Sequence, residues 1–150
     1  NNSALKMTPA FDAHSASDQT LSDLTYTQVT LGTEILDTDG NFASSRFTPT
    51  TAGKYFIYGL ITVGASVSSR LTYTQIALYK NGSIYKKANN NPNDSYPEAE
   101  LCLPVTSIVD MNGTTDYVEL YAYLEASSAN PVVLSGDKQA SFGGYRIIGA

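Results

Sequence analysis

The stretch Lys54 to Val63, KYFIYGLITV, constrains this chain more than any other. Nearly every residue in it is β-branched or aromatic, a composition that suits a pleated surface and loses rotamer freedom in a helix. It reads as a strand. Because successive side chains of a strand point to opposite faces, Tyr55 and Ile57 share one face and Phe56 and Tyr58 the other. Both faces are apolar, so both should be covered.

The rest of the chain repeats the same period. Thr25 to Asp37 alternates Tyr26, Gln28 and Thr30 against Thr27, Val29 and Leu31, which predicts one half-buried strand ended by the turn residues Asp37 to Asn41. Leu71 to Lys80 predicts another strand, returned antiparallel by Ser83 to Lys87. Between them, Asn81 and Gly82 satisfy the two positive-φ positions of a type I′ hairpin turn. Asn89 to Glu98, NNNPNDSYPE, has no periodicity and two prolines, and is expected to be a surface loop.

Leu101, Leu103, Val105, Ile108 and Val109 mark the next strand, closed by Asn112-Gly113. Tyr117 to Glu125 then places Val118, Leu120, Ala122 and Leu124 on one face and Tyr117, Glu119, Tyr121 and Tyr123 on the other, as a strand buried on one side does. Phe142 to Ile148 ends the series, with weaker candidates at Pro9 to His14 and Val132 to Leu134. No segment carries a capped helical stripe. About eight to ten strands at this spacing predict an all-β, antiparallel β-sandwich of the jelly-roll kind.

A chain of 150 residues fits one domain, read here as residues 11-150, with 1-10, NNSALKMTPA, as an N-terminal arm. It starts at Asn1 without an initiator Met or a signal segment, which is expected of a processed chain or of part of a longer one. A net charge of -5, with no basic cluster larger than Lys86-Lys87, argues against a nucleic-acid partner. Its longest apolar run is far below the ~20 residues that span a bilayer, so no membrane insertion is expected. Cys102, the single cysteine, permits no intrachain disulfide and is expected in the core as a small hydrophobe.

Several segments together resemble a known family. Phe47-Thr-Pro-Thr-Thr-Ala-Gly53-Lys-Tyr55-Phe-Ile-Tyr58, Leu78-Tyr79-Lys80-Asn81-Gly82 and Phe142-Gly143-Gly144-Tyr145 are similar, in order, to the C1q/TNF-like domain. Phe47, Gly53 and Tyr55 fit its pattern, whereas Ile57 and Gly59 stand where two further aromatics are usual, and Gly40 replaces an upstream one. The departures resemble divergent C1q-like domains encoded by bacteriophages, especially marine ones. Matching segments include TEILDTDGNF, RFTPTTAGKYFIYG, ALYKNGS, SIVDMNGTTDYVELY and YRIIGA. The resemblance implies a trimeric jelly roll, with Phe56 and Tyr58 facing a threefold axis. The alternative is that both fill the core of a single chain.

Other candidates are weaker. His14 lies beside Asp12 and Ser15, but neighbours in an extended segment point apart, so no triad follows. Asp37/Asp39 and Asp94/Glu98/Glu100 are carboxylate pairs and clusters, and Asn93 and Asp94 are the least unfavourable Ca²⁺ ligands, against the ordinary use of Asn and Asp in turns. Asn81-Gly-Ser, Asn93-Asp-Ser and Asn112-Gly-Thr match the glycosylation acceptor pattern and are read as turns. Eleven tyrosines and no tryptophan leave Tyr117, Tyr121, Tyr123 and Tyr96 as candidate surface binding residues, with Tyr73, Tyr79 and Tyr85 nearby. The competing reading is a cross-strand aromatic ladder that stiffens a solvated sheet.

No nucleophile, base and orienting group stand at usable spacing, and no cofactor motif appears, so the chain is expected not to be an enzyme. The leading expectation is a homotrimeric structural protein of a virion surface, a capsid decoration or a fibre tip, attached to a capsid or fibre protein through residues 1-10. The rival is an extracellular or fibre-borne recognition module that binds a host surface glycan or protein through its loops.

Overall fold

The computed structural model describes residues 6–92 and 97–148. Asn93, Asp94 and Tyr96, and the first half of the arm, lie outside the described residues. Two antiparallel sheets face each other. The first takes β1 (Ala10–His14), β2 (Gln19–Thr20), β4 (Thr33–Asp37), β7 (Gly53–Ala65), β10 (Glu100–Met111), β12 (Pro131–Val133) and β13 (Ala140–Arg146). The second takes β3 (Thr27–Gln28), β5 (Phe42–Ala43), β6 (Arg46–Phe47), β8 (Leu71–Lys80), β9 (Ser83–Asn90) and β11 (Val118–Ala126). The only helical piece among the described residues is the single turn Gly136–Lys138.

Strand β7 organises the first sheet, pairing along its whole length with β10 on one side and with β13 and then β12 on the other. Beyond β13 come β1 and β4, so Ala10 stands opposite Tyr145 and Phe11 opposite Asp37. In the second sheet β11 lies between β8 and the short strands β3 and β6. Strands β9 and β10, each at the edge of its own sheet, lie side by side and close that flank.

The inward residues of both sheets form one core. Phe11 stacks on Phe47 and Phe42 with centroids 4.2 and 5.2 Å apart, and meets Phe142 edge-on at 4.9 Å. Tyr55 joins Phe47 at 5.7 Å and donates its hydroxyl to the Thr51 carbonyl, so its one polar group is satisfied in the core. Gly59 stands where the family pattern favours an aromatic. A Cβ there would lie 2.4 Å from Leu120 Cδ1, so the missing side chain is the space that the facing sheet's leucine fills.

Three expectations need correction. Thr25 to Asp37 is not one strand: β3 belongs to the second sheet and β4 to the first, and the chain crosses the sandwich between them. The crossing is held by Val29 N–H on the Leu120 carbonyl and Leu31 N–H on Ser45 Oγ, and it buries both side chains in the core. Cys102 is exposed rather than in the core. In β10 the odd positions Leu103, Val105, Val109 and Met111 point inward, so Cys102 and Ile108 point out. Strand β9 also continues to Asn90, into the segment expected to be loop.

At the hairpin between β8 and β9, Asn81 has φ 52° and Gly82 φ 77°. Asn81 Oδ1 accepts the Tyr117 N–H and its amide donates to Asp116, tying the turn to the neighbouring loop. Asn112 organises that loop, its Oδ1 accepting N–H groups of Thr114, Thr115 and Asp116. Both asparagines therefore serve turns.

Candidate functional site

The outer face of the first sheet follows from the registers. Residues directly opposite in antiparallel strands share a face, so Ile108, Phe56, Tyr145 and Ala10 form one row across β10, β7, β13 and β1. Thr106, Tyr58, Gly143 and Asp12 form the next, and Leu36 of β4 extends it. This face lacks a second sheet to cover it. Phe56 and Tyr58 are half-buried, with Phe56 centred 5.6 Å from Tyr145 and 6.4 Å from Tyr58, while Tyr55 and Ile57 are fully buried on the inner face.

Tyr58 lies flat over Gly143, where a Cβ would stand 2.1 Å from its hydroxyl oxygen. Burial pushes its phenol up to about 12, helped by the Asp12 carboxylate, whose charge and hydrogen bond both favour the neutral ring. Beside it a cleft of about 570 Å³ opens between Met7, Leu36, Tyr58 and Tyr145. Leu36, Ile35 and Met7 remain 46%, 49% and 48% exposed around it, a concentration of large apolar side chains at one place.

The outer face of the second sheet is also aromatic but closes on itself. Tyr79 stacks on Tyr121 with centroids 4.0 Å apart, and Tyr123 packs against Tyr26 at 4.9 Å and Tyr73 at 6.0 Å. Gln75 sits among them, accepting from the Tyr26 hydroxyl and donating to the Tyr73 hydroxyl. Burial raises the phenols of Tyr79 and Tyr121. Tyr121 and Tyr123 are thus ladder members, and Tyr117 lies under the Arg46 guanidinium, 4.0 Å from its centre. The strand expected to be solvated on this face carries Glu119 at only 3% exposure.

Glu119 is the residue the sequence reading passed over. Its Oε1 accepts from Arg46 Nε at 2.8 Å and Gln28 Nε2 at 3.2 Å, with Arg46 Nη2 also 2.8 Å away. Gln28 Nε2 reaches the Ser44 and Ser45 carbonyls as well. Those serines form the β5–β6 turn, at φ 53° and 59°. Arg46, Glu119 and Gln28 line a polar cleft of about 530 Å³ with Gly40, Asn41, Ala43, Ser44, Thr48 and Thr50. The only signal in the sequence was a carboxylate at an outward position between two tyrosines.

The remaining candidates stay apart. His14 Nδ1 lies 2.9 Å from the Ser15 carbonyl, and Ser15 Oγ is bonded to the Thr30 carbonyl, so no triad forms. Asp37 uses both carboxylate oxygens on the N–H groups of Asn41 and Phe42, as a turn residue. Among the described residues no three His, Cys, Asp or Glu side chains gather in a way that could hold a metal.

No protein-family model matches the chain, and no curated protein matches it. Solved structures do. Murine APRIL is similar at a TM-score of 0.66 and 8% identity, over 92% of this chain and 98% of that one. Eiger TNF from S. frugiperda is similar at 0.68 and 10% identity, over 94% and 93%. With the two antiparallel sheets and their core, these likenesses give the conclusion that the geometry had prepared: the chain has a TNF-like jelly-roll fold.

Proposed function

We propose that this chain is a non-enzymatic module that joins two further copies of itself through the outer face of the first sheet, and that the trimer serves on a virion surface as a capsid decoration or fibre tip. The uncovered aromatic face around Phe56 and Tyr58 carries the reading, because burying it stabilises association by about 25 cal/mol per Å² of apolar area removed from water. A threefold ring needs two different patches that fit each other. The second is at hand on the β9–β10 flank, where Ile84 and Tyr85 stand 43% and 46% exposed next to Ile108 at the edge of the first face. In a closed ring, each copy's flank seats an apolar side chain in the Met7–Leu36–Tyr58–Tyr145 cleft of the next. Sedimentation equilibrium at micromolar concentration tests this, and a monomer would reject it.

The virion setting rests on the resemblance of the quoted segments to phage-encoded domains. Attachment is assigned to residues 1-10. Within them Pro9 and Ala10 dock on the sheet, through Arg146 N–H on the Pro9 carbonyl and Thr38 N–H on the Ala10 carbonyl, and Met7 lines the cleft beside Tyr58. Deleting residues 1–5 should leave the trimer intact and lower its occupancy on purified particles. Normal occupancy would remove the arm as the anchor.

A further inference from the structure

The Arg46–Glu119 cleft is not explained by the trimer, since it opens on the second sheet, away from Phe56 and Tyr58. We infer that it is a binding site for a neutral saccharide with adjacent free hydroxyls, one site per chain.

The charge pattern sets the ligand class. Glu119 is a carboxylate at 3% exposure, and its cost of burial is offset by Arg46, both of whose contacts fall on Oε1. No hydrogen-bond donor among the described residues reaches Oε2. An anionic ligand would set a second negative charge beside a carboxylate removed from water, and a cation would face the half-exposed guanidinium. A neutral ligand meets neither penalty.

The hydrogen-bonding pattern narrows it further. The cleft offers an acceptor at Glu119 Oε2, donors on the outer side of Arg46, and groups that do both at Thr48 and Ser44. A sugar hydroxyl is itself donor and acceptor, and two neighbouring hydroxyls match an acceptor and a donor fixed side by side. The guanidinium is held flat by Tyr117 beneath it and by Glu119, so its outward N–H groups are aimed before any ligand arrives. The β5–β6 turn, with Gln28 tied to both of its carbonyls, fixes the far wall. A cleft of about 530 Å³ holds one or two sugar units.

The test uses amide NMR of the whole chain, titrated with methyl glucoside, methyl mannoside, methyl galactoside and N-acetylglucosamine, and with N-acetylneuraminic acid as the charged comparison. At up to ~20 mM sugar, a site of about 1 mM affinity is more than nine-tenths filled. Saturable shifts confined to Gln28, Ser44, Arg46, Thr48 and Glu119 with a neutral sugar are expected. Thr48→Val removes only a hydroxyl and should weaken binding about tenfold. Ala43→Phe, at an exposed position on the cleft wall, should abolish binding with the fold intact. No shift with any neutral sugar, shifts elsewhere, or preference for the acidic sugar would overturn the assignment. Repeating the titration on Tyr58→Asp separates this result from the trimer, because the cleft should bind in either state.

Discussion

The two outer faces of this sandwich are built from the same residue type and end in opposite conditions. On the second sheet Tyr26, Tyr73, Tyr79, Tyr121 and Tyr123 pack on one another, and the Tyr26 and Tyr73 hydroxyls share Gln75, so much of their aromatic area is used within the chain. On the first sheet Phe56 packs against Tyr58 and Tyr145, no further ring among the described residues joins them, and Leu36 and Ile108 beside them remain about half exposed. A crossing segment that carries Tyr26 and Gln28 covers the one. No element among the described residues covers the other. Aromatic content therefore says little about binding until one asks which rings already have partners.

The sharpest way to break this contrast is Tyr58→Asp. An uncompensated charge taken from water costs about 3–5 kcal/mol, enough to raise a dissociation constant by a factor of about 100 or more. Sedimentation should show folded monomers. Unchanged trimers would mean that the first face is not the contact. Glu119→Ala, on the second face, should leave assembly alone yet lower stability to urea by about 1–3 kcal/mol, because Arg46 and the Gln28 amide lose their shared acceptor.

Gly143→Ala should cost about 1–2 kcal/mol by displacing the Tyr58 phenol, and the loss should shrink in the Tyr58→Ala background, where nothing is displaced. Chemical denaturation of the four proteins measures that coupling. Equal losses in both backgrounds would show that Gly143 matters for another reason. Tyr121→Ala should cost about 0.5–1.5 kcal/mol beyond its buried area, by undoing the stack on Tyr79, with no change in assembly.

The smallest effect is alkaline. Tyr55 and Tyr58 both have phenols pushed up to about 12 from 10.0, chiefly by burial. Between those values the unfolded chain has released protons that the folded chain keeps, so the stabilisation is complete below pH 10 and fades as pH rises toward 12. Melting temperatures across that window should fall less steeply in Tyr58→Phe. A slope identical to the parent's would assign the effect to Tyr55 alone.

The sequence made the strands of the core legible because their signal is local: β7, β8 and β11 lie within a residue or two of where it put them, and β13 begins and ends two residues before the expected Phe142 to Ile148. It failed where two elements share one period. Tyr26 to Leu31 alternates as one strand would, yet Val29 and Leu31 are buried at a crossing between sheets, and only the partners of their N–H groups show this. Cys102 was misplaced because Leu101 to Val109 holds apolar residues on both faces, and the inner register is set by pairing with β7. The Arg46–Glu119 cleft was not legible at all. Its walls are separated by as many as 91 positions, and no local pattern links Gln28 to Glu119.

The pairing of β1 with β13 also decides how the domain bears load. Because the strands run antiparallel with Ala10 opposite Tyr145, the chain enters and leaves the sheet at the same end. A pull that separates those two points would peel the pair one hydrogen bond at a time, starting at Ala10, instead of shearing all the bonds at once. A pull applied from the arm alone, against a partner seated on the first sheet, would instead draw β1 along its axis and load its hydrogen bonds to β13 and β4 together in shear. The same fold would then resist traction from one tether far better than stretching between two.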